Sequence, residues 1–162
     1  MTLASDVLDA ARARSVMIAT AESCTGGLIA GALTEVPGSS DAVDRGFVTY
    51  SNAAKQQMLG VRAETLETHG AVSEQVAAEM AAGALHRSDA GIAVAVTGIA
   101  GPGGSGHKPE GRVCFGIAQP MGTRTETVEF GAIGRSRVRA ATVDHALRML
   151  LDGLRGQQRA ID

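Results

Sequence analysis

The sequence predicts an α/β protein: a layered α/β/α sandwich around a mixed, mostly parallel sheet that includes a C-terminal antiparallel hairpin. Three observations lead there. Short apolar runs at residues 16–19 and 91–97 alternate with amphipathic segments of helical period. Two stretches of period two, 112–118 and 123–130, flank the turn Gln119-Pro120-Met121-Gly122 and read as a hairpin. The core material is also small. Alanine and glycine abound, while 162 residues contain three Phe, one Tyr and no Trp, which suits helices lying tight against a sheet. No repeat, low-complexity tract or long linker divides the chain, so residues 1–162 are read as a single domain.

In order, residues 5–14 carry Val7, Leu8 and Ala11 at helical spacing with Ser5 as the cap. Residues 16–19 read as a buried strand, 25–34 as a helix, and 36–40 as the turn that ends it. The β-branched and aromatic content of Phe47-Val48-Thr49-Tyr50 supports a second strand over 43–50. Short helices follow at 52–59 and 63–68, closed by Gly60 and Gly70. Ser73 caps a longer helix with Val76, Met80 and Ala84 on one face. The continuous small-apolar run 91–97 suits a central strand covered on both faces. After a Gly/Pro loop (98–111) and the hairpin, a helix over 135–154 closes the chain. Its stripe is Val143, Leu147, Leu150 and Leu154; Asp144, Arg148 and Asp152 form the wet face.

A net charge of −2 gives no electrostatic case for a nucleic-acid surface. No run approaches the ~20 apolar residues of a membrane span, and the N-terminus lacks the basic-then-apolar signature of a signal peptide. Cys24 and Cys114 are far apart, with neither CxxC nor zinc spacing. A reduced cytoplasmic protein is expected. His69, His86, His107 and His145 show no i,i+4 pairing and no carboxylate cluster, so no metal site and no cofactor are expected.

The stretch Thr20-Ala21-Glu22-Ser23-Cys24-Thr25-Gly26-Gly27 joins the first strand to the second helix. It puts Ser23 near the carboxyl end of a strand, where open α/β sheets bind ligands. Backbone N–H groups at the helix start, with Gly26 and Gly27 allowing close approach, form an expected anion site. Ser23 is thus a candidate nucleophile, with Cys24, Thr25 and Gly26 offering an oxyanion hole. The competing reading is that Ser23 or Thr25 simply caps the helix. Glu22 either orients a partner or anchors the turn.

Lys55 follows the second strand. If the first two strands are neighbours, their carboxyl ends bring Tyr50 and Lys55 near Ser23. A desolvated lysine there could take the serine proton, the logic of serine–lysine pairs. The competing reading is a solvated helix lysine. Against it, the chain has only two lysines, Lys55 and Lys108, among many arginines, and arginine cannot act as a base.

The loop after the third strand carries Gly98 and Gly101 and superficially suggests a phosphate loop. Its spacing fails: His107 separates Gly106 from Lys108, and Pro109 stands where a magnesium-holding Ser or Thr belongs. A flexible lid without ligand contacts is the alternative. Thr97, last in its strand, faces the same ridge as Ser23. Arg135, Arg137 and Arg139 open the last helix, where cations oppose the helix dipole, so an external anion such as phosphate is a sensible reason for them. Ordinary surface charge accounts for at least one of the three.

Four blocks in order, TAESCTGG (20–27), RGFVTYSNAAK (45–55), HGAVSE (69–74) and TGIAGPG (97–103), resemble the C-terminal domain of the competence/damage-inducible CinA proteins. The resemblance runs from about residue 5 to 155 and is strongest to the stand-alone bacterial form, the nicotinamide-nucleotide amidases. It implies hydrolysis of the carboxamide of nicotinamide mononucleotide to nicotinic acid mononucleotide and ammonia, in pyridine-nucleotide recycling. Carried over by motif, Ser23 is the nucleophile and Lys55 its base. Tyr50 and Thr97 line the site, and the arginine-bearing helix start holds the nucleotide. The resemblance further implies no metal requirement and a homo-oligomer. Longer family proteins carry an N-terminal nucleotide-pyrophosphatase domain; neither that domain nor its activity is expected here. Two alternatives stay open: a non-catalytic nucleotide- or phosphate-binding module, and an amidase for another small amide. A pure binder could use arginine at position 55, whereas an amidase needs a group able to lose its proton.

Overall fold

A computed structural model of the chain describes the backbone of residues 1–161 and the side chains of residues 1–156. Helix α1 (Leu3–Ala13) is capped by Thr2, which accepts from the Ser5 amide while Ser5 answers the Thr2 amide in a capping box. The cap expected at Ser5 is thus three residues earlier. Strand β1 (Ile18–Glu22) also starts later than its apolar run suggested. Val16 closes the turn that ends α1: its amide donates to the Ala11 carbonyl once Ser15 has turned to φ 54°. The strand instead continues through polar Thr20 and Glu22, because parallel neighbours pair with it as far as Glu22.

Helix α2 (Leu28–Thr34), a 3₁₀ turn (Ser39–Asp41) and strand β2 (Val43–Val48) follow, then helices α3 (Asn52–Leu59), α4 (Ala63–His69) and α5 (Glu74–His86). Strands β3 (Ile92–Gly98), β4 (Arg112–Gln119) and β5 (Gly122–Glu129) precede helix α6 (Arg135–Ile161). The sheet order is β2-β1-β3-β4-β5. Strand β1 pairs in parallel with β2 and β3, whereas β4 is antiparallel to both β3 and β5, so every strand but β4 points the same way. This is the layered mixed sheet with a C-terminal hairpin that the sequence predicts.

The two sheet faces differ in side-chain size. Ile18, Val94, Val96, Phe115 and Ile117 pack under α1, α2 and α6. Ala19, Ala21, Ala93, Ala95 and Ala118 lie under α5. Small residues let α5 approach closely. A Cβ added to Gly116 would stand 2.5 Å from the Ala77 carbonyl oxygen on that helix. The aromatic-poor composition is therefore a packing requirement of one particular face.

Strand order positions the site. From β1 the chain crosses to β2 on one side and later to β3 on the other, so the carboxyl ends of these three strands form a switch point. Glu22 is level with Val48 and with Val96. The segments following all three strands emerge together.

Candidate active site

Ser23 is the first residue beyond β1. Its amide donates to the Val96 carbonyl at 3.1 Å, which keeps it tied to β3. The next turn is held from within by Glu22, fully buried at the end of the strand. The Glu22 carboxylate accepts from the Thr25 hydroxyl and from the amides of Gly27 (3.2 Å), Ile29 (2.9 Å) and Ala30 (3.0 Å). It therefore caps α2, the role a Ser or Thr commonly fills. This corrects the anion site expected at that helix start: its amides are already taken. Thr25, Gly26 and Gly27, expected to face a ligand, lie outside the cleft lining, and Thr25 is fully buried. The Gly26 amide, expected in the oxyanion hole, donates to the Ser23 carbonyl at 3.1 Å. The amides of Cys24 and Thr25 have no acceptor among the described residues.

Thr49 follows β2, and its amide donates to the Glu22 carbonyl at 2.8 Å, fastening the two strand ends together. Ser51 then caps α3 by accepting from the Ala54 amide, and Lys55 falls at the end of the first helical turn. Its side chain points back into the junction and is 1% exposed. Nζ lies 3.0 Å from Ser23 Oγ, 3.1 Å from the Thr49 carbonyl and 3.5 Å from the Tyr50 carbonyl. None of these partners is an anion. Burial pushes the Lys55 pKa below the usual lysine range, opposed by the neighbouring Cys24 thiol. The positive end of α3 acts in the same direction as burial. The solvated-lysine alternative is excluded.

Cys24, adjacent to Ser23, has the opposite character. Burial raises its thiol to about 11, so it stays protonated near neutral pH.

Ser23, Lys55 and Thr97 open onto a cleft of about 370 Å³, which Tyr50, Gly98, Gly101 and Arg135 also line. That size suits a small molecule. The Thr97 hydroxyl donates to the Ala71 carbonyl (2.8 Å), holding the 70–73 loop against the strand end. Tyr50 is 63% exposed at the rim, and Arg135 donates to its hydroxyl at 3.1 Å and to the Gly101 carbonyl at 2.6 Å. The three arginines separate. Arg135 faces the cleft, Arg137 is exposed outside its lining, and Arg139 is turned onto the backbone behind Cys24.

The sequence reading missed Asn52 and Ser105, which also line the cleft. It also gave Lys108 no task. The Lys108 ammonium donates to the His69 (2.7 Å) and Val72 (2.6 Å) carbonyls, pinning the glycine-rich loop to its neighbour. That loop is held at both ends, since the Gly111 amide donates to the Ile99 carbonyl at 2.7 Å. Only the rarity of lysine in the chain hinted at this. Among the described residues, no group of three or more His, Cys, Asp or Glu side chains is arranged to hold a metal ion. No described helix is long and apolar enough to cross a membrane.

A buried serine–lysine contact at the switch point of a three-layer α/β sheet, opening on a cleft of small-molecule size, defines a class: α/β proteins with a small-ligand site at the strand ends. Residues 1–154 match the model of the CinA C-terminal domain, and the chain belongs to that family. The nicotinamide-nucleotide amidohydrolase PncC of Escherichia coli K12 is 50% identical over 151 residues, 93% of this chain and 92% of that protein. A CinA-like protein of Chlorobium phaeobacteroides is 58% identical over 145 residues, covering 86% of this chain but 34% of that protein. The chain thus spans about a third of the length of such longer relatives. The crystal structure of the competence/damage inducible protein CihA from Agrobacterium tumefaciens, 55% identical, superposes with a TM-score of 0.85 over 93% of this chain and 96% of that one.

Proposed function

We propose that the chain is an amide hydrolase that converts nicotinamide mononucleotide to nicotinic acid mononucleotide and ammonia, with Ser23 as nucleophile and Lys55 as its base. The observation that carries this reading is the 3.0 Å contact between Lys55 Nζ and Ser23 Oγ, made by a buried amine without an anionic partner. The amidohydrolase relative in Escherichia coli supports the substrate.

The chemistry follows from the amine's surroundings. A neutral lysine has two N–H bonds and one lone pair. Two of the three oxygens around Nζ are carbonyls, which only accept, so the lone pair is left for the Ser23 hydroxyl. Lys55 removes that proton as Ser23 Oγ attacks the carboxamide carbon. The free amide of Cys24, which lines the cleft, receives the developing oxyanion, worth about 3 kcal/mol per donor in comparable sites. Lys55 then hands its proton to the departing ammonia, and water cleaves the resulting ester. The cationic pyridinium ring of the substrate assists by withdrawing electrons from the carbonyl. Arg135 spends two donors on Gly101 and Tyr50 and keeps others for the nucleotide phosphate. Tyr50 and Thr97 shape the walls between phosphate and nucleophile.

A coupled ammonia assay with nicotinamide mononucleotide, run with a chelator present, tests the reading. Turnover by the native chain and its loss in a folded Ser23→Ala variant are expected; near-normal turnover by that variant would remove Ser23 from the mechanism.

A further inference from the structure

Arg139 lies in the second turn of α6, partly buried and outside the cleft lining. Its guanidinium grips the turn that carries the nucleophile. Nε donates to the Cys24 carbonyl at 3.1 Å and Nη2 to the Thr25 carbonyl at 3.2 Å. In a trans peptide the C=O and N–H point in opposite directions. The plane joining Cys24 to Thr25 therefore has its oxygen on Arg139 and its N–H turned away, at fully buried Thr25, while the Cys24 N–H on the preceding plane lies at the cleft with no acceptor among the described residues. The next plane is already closed, because the Gly26 N–H donates to the Ser23 carbonyl.

Resting on the hydrolytic reading above, we infer that Arg139 is a positioning residue: it clamps the Cys24 and Thr25 carbonyls and so fixes the Ser23–Cys24 backbone, such that the cleft-lining Cys24 N–H meets the oxyanion formed when Ser23 attacks. The guanidinium fork suits two successive carbonyls, a match that a point-charge ammonium cannot reproduce. The turn is built close under it: Gly26 has φ +59°, and a Cβ there would stand 3.4 Å from Arg139 Nη2. Arg139 thus acts behind the reacting atoms, whereas the sequence had grouped it with possible phosphate ligands.

The test compares Arg139→Met, which keeps the stem and removes the fork, with Arg139→Lys, which keeps the charge. Misaiming one oxyanion donor should lower kcat for nicotinamide mononucleotide roughly 10- to 100-fold, somewhat less than removing a donor outright. KM should stay within about threefold. The lysine variant should recover part of the loss, and it carries the test if the methionine variant does not fold. A raised KM with unchanged kcat would make Arg139 a substrate ligand and overturn the inference. So would unchanged kinetics with a lowered melting temperature, which marks a purely structural role.

A fluorophosphonate ester supplies a readout independent of the nucleotide. Ser23 Oγ forms a bond to phosphorus, fluoride leaves with the P–F electrons, and Lys55 takes the hydroxyl proton. Labelling of Arg139→Met should slow by a factor similar to the kcat loss; equal labelling rates would overturn the inference. If the native chain takes the label but leaves nicotinamide mononucleotide intact, the substrate assignment fails while the role of Arg139 is still decided by those rates. If it neither labels nor turns over, both fall together.

Discussion

Lys55 is costly where it sits, and its titration gives the sharpest residue-level expectations. Burial lowers its pKa in the folded chain, whereas the unfolded chain titrates near ~10.4. Between those two values the unfolded state binds more protons, so stability rises with pH across that window and is lost as pH falls through the folded pKa. Equilibrium unfolding of a Lys55→Met variant should therefore gain on the native chain as pH is lowered, and the two curves should converge at high pH. A constant difference would show that Lys55 does not titrate abnormally. For activity, kcat/KM should rise with pH to a plateau, with its limb below the usual lysine range, and Lys55→Met should lose about 10²–10⁴-fold. Cys24 makes the complementary case. With its thiol raised to about 11, on the order of 10⁻⁴ of it is ionised at pH 7, so brief iodoacetamide treatment there should leave ammonia release intact. Rapid inactivation traced to Cys24 would contradict this.

At the scale of elements, helix α5 lies against a sheet face of alanine and glycine, and that closeness is testable. Gly116→Ala brings a methyl against the Ala77 carbonyl, so it should lower stability by about 1–3 kcal/mol in urea with an unchanged m-value. No loss would mean that the helix sits further out. The same scale shows what the sequence made legible. The order of helices and strands, the hairpin and the proximity of Ser23 and Lys55 were readable, because period and turn chemistry report local structure. Two things were not. Strand β1 was placed early because Thr20 and Glu22 are polar; their place in a central strand depends on pairing with residues at 46–48 and 94–96. The helix start at Gly27 looked like a vacant anion site because nothing local reveals that Glu22 folds back to fill it. The three arginines were indistinguishable for the same reason: Tyr50, Gly101 and the 23–27 turn, which sort them, are distant in sequence.

At the scale of the whole molecule, one topological fact positions the site: three parallel strands end within two residues of one another, and the switch between them brings Ser23, Lys55 and Arg135 around one cleft. Selectivity follows from that spread. Arg135→Ala should raise KM for nicotinamide mononucleotide about 10- to 100-fold, the loss of a charge-assisted contact, with a smaller effect on kcat. It should leave the weak reaction with free nicotinamide nearly unchanged; an equal effect on both substrates would remove the phosphate from its role. The central claim is that Ser23 carries the acyl group between attack and water. Rapid-quench peptide mapping during turnover of nicotinamide mononucleotide reads this directly. The mechanism predicts a nicotinoyl-nucleotide ester on the peptide bearing Ser23, at the serine itself and absent from Ser23→Ala. An adduct on Cys24, or undiminished turnover by that variant, would contradict it.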